Sequence, residues 1–156
     1  MEKRKIKLTF VNSNISVIAE MLEDEAPETC KLVWEMLTIE NNLIHGRYSG
    51  AEVFILVEPP KIFHDENKTQ LPLPGELLFW YDKGTAVTSN NKPVAEVLFV
   101  FNRGVTLRSA EGVPSHANLF ARIPGDWKYD WENFANACAK VRLNGTEPLL
   151  IEKINE

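Results

Sequence analysis

The chain has 156 residues, 44% of them hydrophobic, and a net charge of −5, which is typical of one acidic globular domain covering residues 1–156. The acidic balance argues against nucleic acid or an anionic membrane as the main partner, because both require a clustered basic surface. No apolar run is long enough to cross a membrane and no apolar signal core follows the N-terminus, so we expect a cytoplasmic protein.

The first part of the chain predicts a β-hairpin followed by a helix. Residues 5–11 alternate between apolar and polar side chains, and residues 15–22 form a second strand after an Asn-Ser-Asn turn. Residues 24–37 then change to helical spacing, and Pro27 suits the first helical turn. We therefore expect an antiparallel hairpin that is followed directly by an amphipathic helix.

Residues 41–57 carry the densest set of reactive side chains in the chain. The stretch predicts two strands joined at Ser49-Gly50, because apolar and polar residues alternate on both sides of that turn signal. Such side chains can hold a charged ligand or move a proton. The candidate catalytic residues here are His45, Tyr48 and Glu52, and Arg47 is a candidate for ligand binding.

Strand alternation assigns faces to these candidates. The β-branched residues of the second strand favour the core, which leaves Glu52 and Phe54 on the outer face. If His45 and Arg47 also face outward, one sheet surface presents an imidazole, a guanidinium, a carboxylate and an aromatic ring. The alternative is the ordinary solvated face of a surface strand, on which Arg47 and Glu52 form a weak pair.

The rest of the chain predicts a long connection, further strands and a second helix. Residues 58–75 are rich in proline, and either a lid over a ligand or a surface excursion explains their length. Glu96 interrupts an otherwise apolar strand, so its carboxylate must be solvated, paired or hydrogen-bonded. The remaining predicted elements are strands at 75–82, 94–101 and 148–154, a loop and short strand at 113–123, and a helix at 130–143.

This order of elements predicts a mainly β fold. Many antiparallel strands with two helices are typical of a closed β-barrel that has one helix over each open end.

Short motifs then indicate a family. Asp24–Cys30 resembles the Ala-Pro-x-Thr helix opening that follows the first hairpin in cyclophilins, and Pro74–Leu77 resembles their Pro-Gly-x-Leu strand. Asn118–Ile123 resembles the strand that follows their active-site histidine loop. The resemblance spans nearly the whole chain and implies the cyclophilin-like barrel.

A closer resemblance is to a bacterial family of small cyclophilin-like proteins of unknown function. It rests on the helix start with Trp34, on His45–Phe54 and on Asn118–Ala121. The same fold is similar to the N-terminal domain of cucumopine synthase, which joins histidine to a keto acid through an imine without an external cofactor. This resemblance implies cofactor-free chemistry, although the added helical domain of that enzyme is not found in this chain.

The resemblance to true cyclophilins also implies an alternative function, proline isomerisation or binding of proline peptides. Arg47 matches the groove arginine of those enzymes, and His116 lies near their groove histidine. Their Phe-Met-x-Gln-Gly-Gly run is replaced here by Ser49–Phe54. This departure makes isomerase activity the second choice.

The leading hypothesis is a groove outside the barrel for a small polar metabolite, an amino acid or a keto acid. Arg47 would hold a carboxylate, and Glu52 or Glu96 would hold an ammonium group or act as a base. His45 or Tyr48 would move a proton. The predicted apolar wall consists of Phe54, Trp80 and Phe101, and the resemblance adds His116 and Asn118 to the binding residues.

Other chemistry has weaker support in the sequence. His45, His64 and His116 show no metal-ligand spacing. Cys30 and Cys138 lie in apolar helical patterns, which are typical of buried free thiols rather than nucleophiles. We therefore predict no metal and no cofactor, with a homo-oligomer left open.

Overall fold

The computed structural model describes residues 2–85 and 91–155. Within them lie two α-helices, α1 (Pro27–Met36) and α2 (Glu132–Asn144), and a short 3₁₀ turn at Ala110–Gly112. The strands are β1 (Lys5–Phe10), β2 (Ile15–Met21), β3 (Ile39–His45), β4 (Glu52–Val57), β5 (Lys68–Thr69), β6 (Glu76–Asp82), β7 (Val94–Val100), β8 (Ala117–Arg122) and β9 (Glu147–Ile154). None of the helices in these two ranges is long and apolar enough to span a membrane.

Eight of these strands close into an antiparallel barrel. The order around the ring is β1, β2, β8, β6, β7, β4, β3 and β9, and β9 pairs back to β1. The short β5 pairs with β8 outside the closed ring. The prediction of a mainly β, closed antiparallel barrel with two helices is therefore confirmed.

The barrel interior and both helices share one hydrophobic core. Alternation points the apolar side chains of β1 inward, where Phe10 is fully buried. The ring of Phe134 on α2 lies 5.2 Å from that of Phe10 and 5.6 Å from that of Phe99. On α1, Cys30 and Val33 join the same buried cluster. The helices are therefore part of the core and are not surface additions.

A second apolar cluster lies on the outer face of the barrel. Leu78 and Leu98 are buried there although they alternate with residues that face the barrel core. They are covered by the connection between β7 and β8, hereafter the 101–116 segment, which contributes Val105 and Leu107. This extra layer turns an outer sheet face into an enclosed surface, and it positions the candidate site.

The long connection at 58–75 is tied to α1 and β8. The carboxylate of Glu66 accepts hydrogen bonds from the backbone N–H groups of Thr29 (2.8 Å) and Glu28 (3.2 Å) at the start of α1. A carboxylate there also complements the positive end of the helix dipole. No residue of this connection lines the cavity described below, and a role as a lid stays a prediction.

Candidate functional site

A cavity of about 260 Å³ lies between the outer barrel face and the 101–116 segment; we call it the Glu52–Glu96 cavity. Most of the candidate residues meet there although they come from four strands and one connection. The predicted residues that line it are His45, Arg47, Tyr48, Glu52, Phe54, Trp80 and Glu96. The lining from the 101–116 segment is Leu107, Arg108, Ser109, Ala110 and Ser115.

Strand register forms the floor of the cavity. Phe54 on β4 stands opposite Ile44 on β3 and opposite Leu98 on β7. One step along the same face, Glu96 on β7 stands opposite Trp80 on β6. Paired positions share a face of the sheet, so the floor is apolar and aromatic with a carboxyl group at its edge.

The carboxyl group of Glu52 is buried without a partner. The side chain is only 6% exposed, and its Oε2 atom has no hydrogen-bond partner in residues 2–85 and 91–155. Burial raises the pKa of Glu52 from its ordinary 4.5 to about 7, because desolvation disfavours the charged form. The close approach requires glycine at position 46, since an added Cβ would overlap Glu52 Oε1.

Glu96 is the second acid of the cavity, and we call Glu52 and Glu96 the acid pair. Burial, with a smaller contribution from the negative charge of Glu52, raises the pKa of Glu96 from its ordinary 4.5 to about 8. In the part of the chain that the structure describes, neither carboxylate makes an ion pair. Carboxyl groups that titrate near neutral pH can serve as a general acid and a general base toward a bound ligand.

Two guanidinium groups lie at the mouth of the cavity. Arg47 and Arg108 are exposed, and among the described residues neither forms an ion pair. The Ser49 hydroxyl fixes the backbone of Arg108, because it accepts a hydrogen bond from Arg108 N–H (2.9 Å) and donates one to Arg108 C=O (3.2 Å). Both guanidiniums are free to bind a ligand carboxylate.

Hydrogen bonds to β6 and to the 58–75 connection hold the 101–116 segment over the site. The indole N–H of Trp80 donates to Ser115 Oγ (2.8 Å). The side-chain amide of Gln70 donates to the Leu107 carbonyl (3.2 Å), and Leu107 N–H donates to the Gln70 carbonyl (2.8 Å). The wall that this segment forms is therefore built into the fold.

His45 does not share the outer face with Glu52 and Phe54, contrary to the arrangement considered from the sequence. It pairs with Val53, which points into the core, and its ring makes an edge contact with Phe101 at 5.7 Å. His45 instead reaches the cavity from the rim of the barrel. Its Nδ1–H donates to the Gly46 carbonyl (2.7 Å), which leaves Nε2 as the acceptor of the neutral ring.

Three predicted binding residues lie outside the cavity lining. Phe101 is buried in the barrel core, and exposed His116 lies 3.7 Å from Asp65 beside a neighbouring depression. The Asn118 side chain is buried and donates to the His64 carbonyl (2.9 Å) and to Thr29 Oγ1 (3.1 Å). Its amide therefore connects the 58–75 loop to α1, and substrate binding by Asn118 stays a prediction.

Sequence reasoning did not identify the wall that the 101–116 segment forms. Arg108, Ser109 and Ser115 carry no motif, and their approach to the strands depends on Val105 and Leu107 packing on the outer face. The alternation of apolar Val105 and Leu107 with their neighbours was the sequence pattern that could have indicated this wall. It predicts a short buried stretch without saying which face it covers.

Neither a metal-binding cluster nor an ionised thiol is found among the described residues. Within residues 2–85 and 91–155 no group of three or more His, Cys, Asp or Glu side chains is arranged to hold a metal ion. Burial raises the pKa of the Cys30 thiol to about 12 and also raises that of Cys138, so both buried thiols stay protonated.

Similar proteins support the fold. A family model described as a protein of unknown function, DUF3830, matches residues 8–151. A structure of McbB in complex with tryptophan superposes with a TM-score of 0.70 at 14% identity, over 97% of this chain but only 45% of McbB. The solution structure of a hypothetical protein from Archaeoglobus fulgidus gives a TM-score of 0.56 at 17% identity, over 97% of this chain and 95% of that one.

No curated protein matches the sequence. At these identities the two structures establish the shared fold and leave the activity open. The resemblance to a family of unknown function with this barrel is confirmed.

Proposed function

The chain belongs to the DUF3830 family of proteins of unknown function, and we propose that it binds a small polar metabolite, an amino acid or a keto acid, in the Glu52–Glu96 cavity. One observation carries this proposal. Two carboxyl groups whose pKa burial raises to about 7 and about 8 line a partly open cavity that has an aromatic floor. Strongly shifted acids in a cleft are typical of functional sites.

The ligand class follows from the charges around the cavity. Arg47 or Arg108 at the mouth would hold a carboxylate through paired N–H···O bonds. A ligand amine would supply the hydrogen-bond donor that Glu52 Oε2 lacks. Phe54 and Trp80 would pack against the apolar part of the ligand. The McbB structure, which contains tryptophan, supports an amino acid as a ligand of this fold.

We further propose that the site catalyses cofactor-free acid–base chemistry, with imine condensation as the reaction that fits its groups. An amine adds to a keto-acid carbonyl carbon to give a carbinolamine. One protonated carboxyl group then gives its proton to the departing hydroxyl, while the ionised carboxylate takes a proton from nitrogen. Water leaves as the C=N bond forms, and the acid pair exchanges roles. Tyr48 and His45, which also line the cavity, are available to relay these protons.

A ligand screen tests the binding proposal. We expect an amino acid, a keto acid or an amine–keto acid conjugate to raise the melting temperature of the wild type. Arg47→Ala should abolish this rise, whereas Arg103→Ala should keep it, because Arg103 is exposed in the turn after β7 and does not line the cavity. An equal rise in both variants would contradict the role of Arg47.

The alternative function is tested in the same preparation. Proline peptides in the screen and a protease-coupled isomerase assay would detect the activity of true cyclophilins. Isomerase activity that Glu52→Gln leaves intact would overturn the proposal in favour of a peptide-binding groove.

A further inference from the structure

A second cavity, of about 430 Å³, lies on the other side of the connection between β3 and β4. It shares Ile44, His45, Gly46 and Arg47 with the Glu52–Glu96 cavity. The rest of its lining comes from Gly50 and from the end of α2: Val141, Arg142, Gly145 and Thr146. We call it the Arg142 cavity, and we propose that it binds a small carboxylate or phosphate anion through Arg47 and Arg142.

The charges of the lining carry this proposal. Arg47 and Arg142 are the two charged side chains that are always cationic here, and the lining contains no carboxylate. Neither guanidinium forms an ion pair within residues 2–85 and 91–155. A concave surface with two unpaired guanidiniums is the opposite of what a chain of net charge −5 offers on average. Carboxylates and phosphates are the anions that guanidinium groups recognise.

The backbone holds Arg142 in place. Val141 is buried in the core, and its carbonyl accepts a hydrogen bond from Gly145 N–H (3.1 Å) at the end of α2. Gly145 has a φ of +91°, a conformation that glycine adopts without strain, and the chain turns there into β9. Arg142 therefore projects from a fixed helical turn, whereas Arg47 comes from the connection opposite.

The two cavities share one wall. His45, Gly46 and Arg47 separate them, so an anion bound at Arg142 would lie beside a ligand held at the acid pair. The anion site goes beyond the proposed function, and its test turns on Arg142, which lines this cavity and not the Glu52–Glu96 cavity, whereas Arg47 lines both. Where both hold, the anion is the second reactant or the released product.

Amide NMR of the full chain tests the anion site. Sodium pyruvate and inorganic phosphate are titrated separately at constant ionic strength, with sodium chloride as the reference. We expect at least one of the two anions to cause saturable shifts of the Gly46, Gly50 and Gly145 amides. Saturation with pyruvate alone identifies a carboxylate ligand, and saturation with phosphate alone identifies a phosphate ligand.

Two variants separate specific binding in the Arg142 cavity from nonspecific attraction to surface arginines. Arg142→Ala should weaken anion binding at least about tenfold, which is the loss expected for one charge-assisted contact. Arg103→Ala should bind the anion as the wild type does, because Arg103 is exposed and does not line this cavity. Thermal melting checks that each variant is folded. This control is needed because Arg142 also complements the negative end of the α2 dipole, so its removal can lower stability.

Absence of saturable shifts with both anions would overturn the proposal. Equal weakening by Arg142→Ala and Arg103→Ala would also overturn it, since that result indicates nonspecific attraction. Either failure leaves the ligand screen for the Glu52–Glu96 cavity unaffected, so the two proposals fail separately.

Discussion

Two buried glutamates of this barrel lie in opposite circumstances. Glu76 is 4% exposed, and its carboxylate accepts a hydrogen bond from Leu73 N–H (2.6 Å) and pairs with the Arg122 guanidinium (2.7 Å). Glu52 is 6% exposed, and its Oε2 has no partner in the described chain. A buried carboxylate with partners supports the fold, whereas a buried carboxyl group without them lowers stability when it ionises. This difference is the reason we propose a chemical role for Glu52 and a structural role for Glu76.

Removing Glu76 should have the largest effect on stability. Glu76→Ala deletes the acceptor of Leu73 N–H and leaves Arg122 without its partner, so we expect the free energy of unfolding to fall by about 3 kcal/mol. Urea denaturation at pH 7 measures this change. A loss below about 1 kcal/mol would show that Glu76 is no more structural than an exposed carboxylate and would remove the contrast with Glu52.

Neutralising Glu52 should raise the stability of the fold, and the size of this gain should depend on pH. Burial raises the pKa of Glu52 from 4.5 to about 7, so between these values the folded chain holds a proton that the unfolded chain has released. The stability from this proton is complete below the lower value and is lost as the pH rises through 7. The free energy of unfolding of Glu52→Gln should therefore exceed that of the wild type by about 2–3 kcal/mol at pH 8.

At about pH 3 the same variant should match the wild type, because Glu52 is then protonated in the folded and in the unfolded chain. Glu40→Gln, on the exposed surface of β3, is the control and should change stability little at either pH. A Glu52→Gln variant that is less stable than the wild type at pH 8 would show that the carboxylate has a stabilising partner.

Filling the space beside Glu52 should have a smaller effect. An alanine methyl group at position 46 would overlap Glu52 Oε1, so Gly46→Ala should push the carboxyl group toward the cavity and water. We expect a loss of about 1–3 kcal/mol at pH 5, as for other overpacked sites. The pH dependence of stability should also become flatter, because the displaced carboxyl group is better solvated. An unchanged pH dependence would show that Gly46 does not position Glu52.

Loosening the cavity wall should have the smallest effect. Trp80→Phe keeps the aromatic floor but removes the indole N–H that donates to Ser115 Oγ. We expect a loss of about 1 kcal/mol and faster hydrogen exchange in the 101–116 segment. Trp34→Phe is the matched control, because Trp34 packs under Arg4 away from the cavity. Equal exchange in the two variants would show that Trp80 does not hold the segment.

Periodicity was sufficient to predict the barrel, because alternation fixes which residues of each strand face the core. It also indicates that Glu52 and Phe54 face outward, which the pairing of Phe54 with Leu98 on the outer face bears out for Phe54. His45 shows where local reasoning can fail. Leu43, on the same face of β3, is fully buried, so that face points inward and His45 reaches the cavity only because β3 ends there.

The cavity wall and the hydrogen bonds by which Asn118 holds the 58–75 loop could not be predicted from the sequence, for a physical reason. The 101–116 segment covers the strands through apolar contacts between distant parts of the chain, and Asn118 is hydrogen-bonded to Thr29, far from it in sequence. No local pattern encodes such contacts. The roles of the candidate residues in binding and catalysis, the single-domain organisation and the cytoplasmic location stay predictions.

Carboxyl ¹³C NMR of the glutamates across pH 3–10 tests the central claim most directly, with Glu52→Gln and Glu96→Gln used for assignment. We expect Glu52 and Glu96 to titrate near pH 7 and pH 8, and Glu52→Gln to lower the pKa of Glu96 because the neighbouring charge is removed. Titration of both groups near pH 4.5, with no change of Glu96 in the variant, would contradict the buried acid pair.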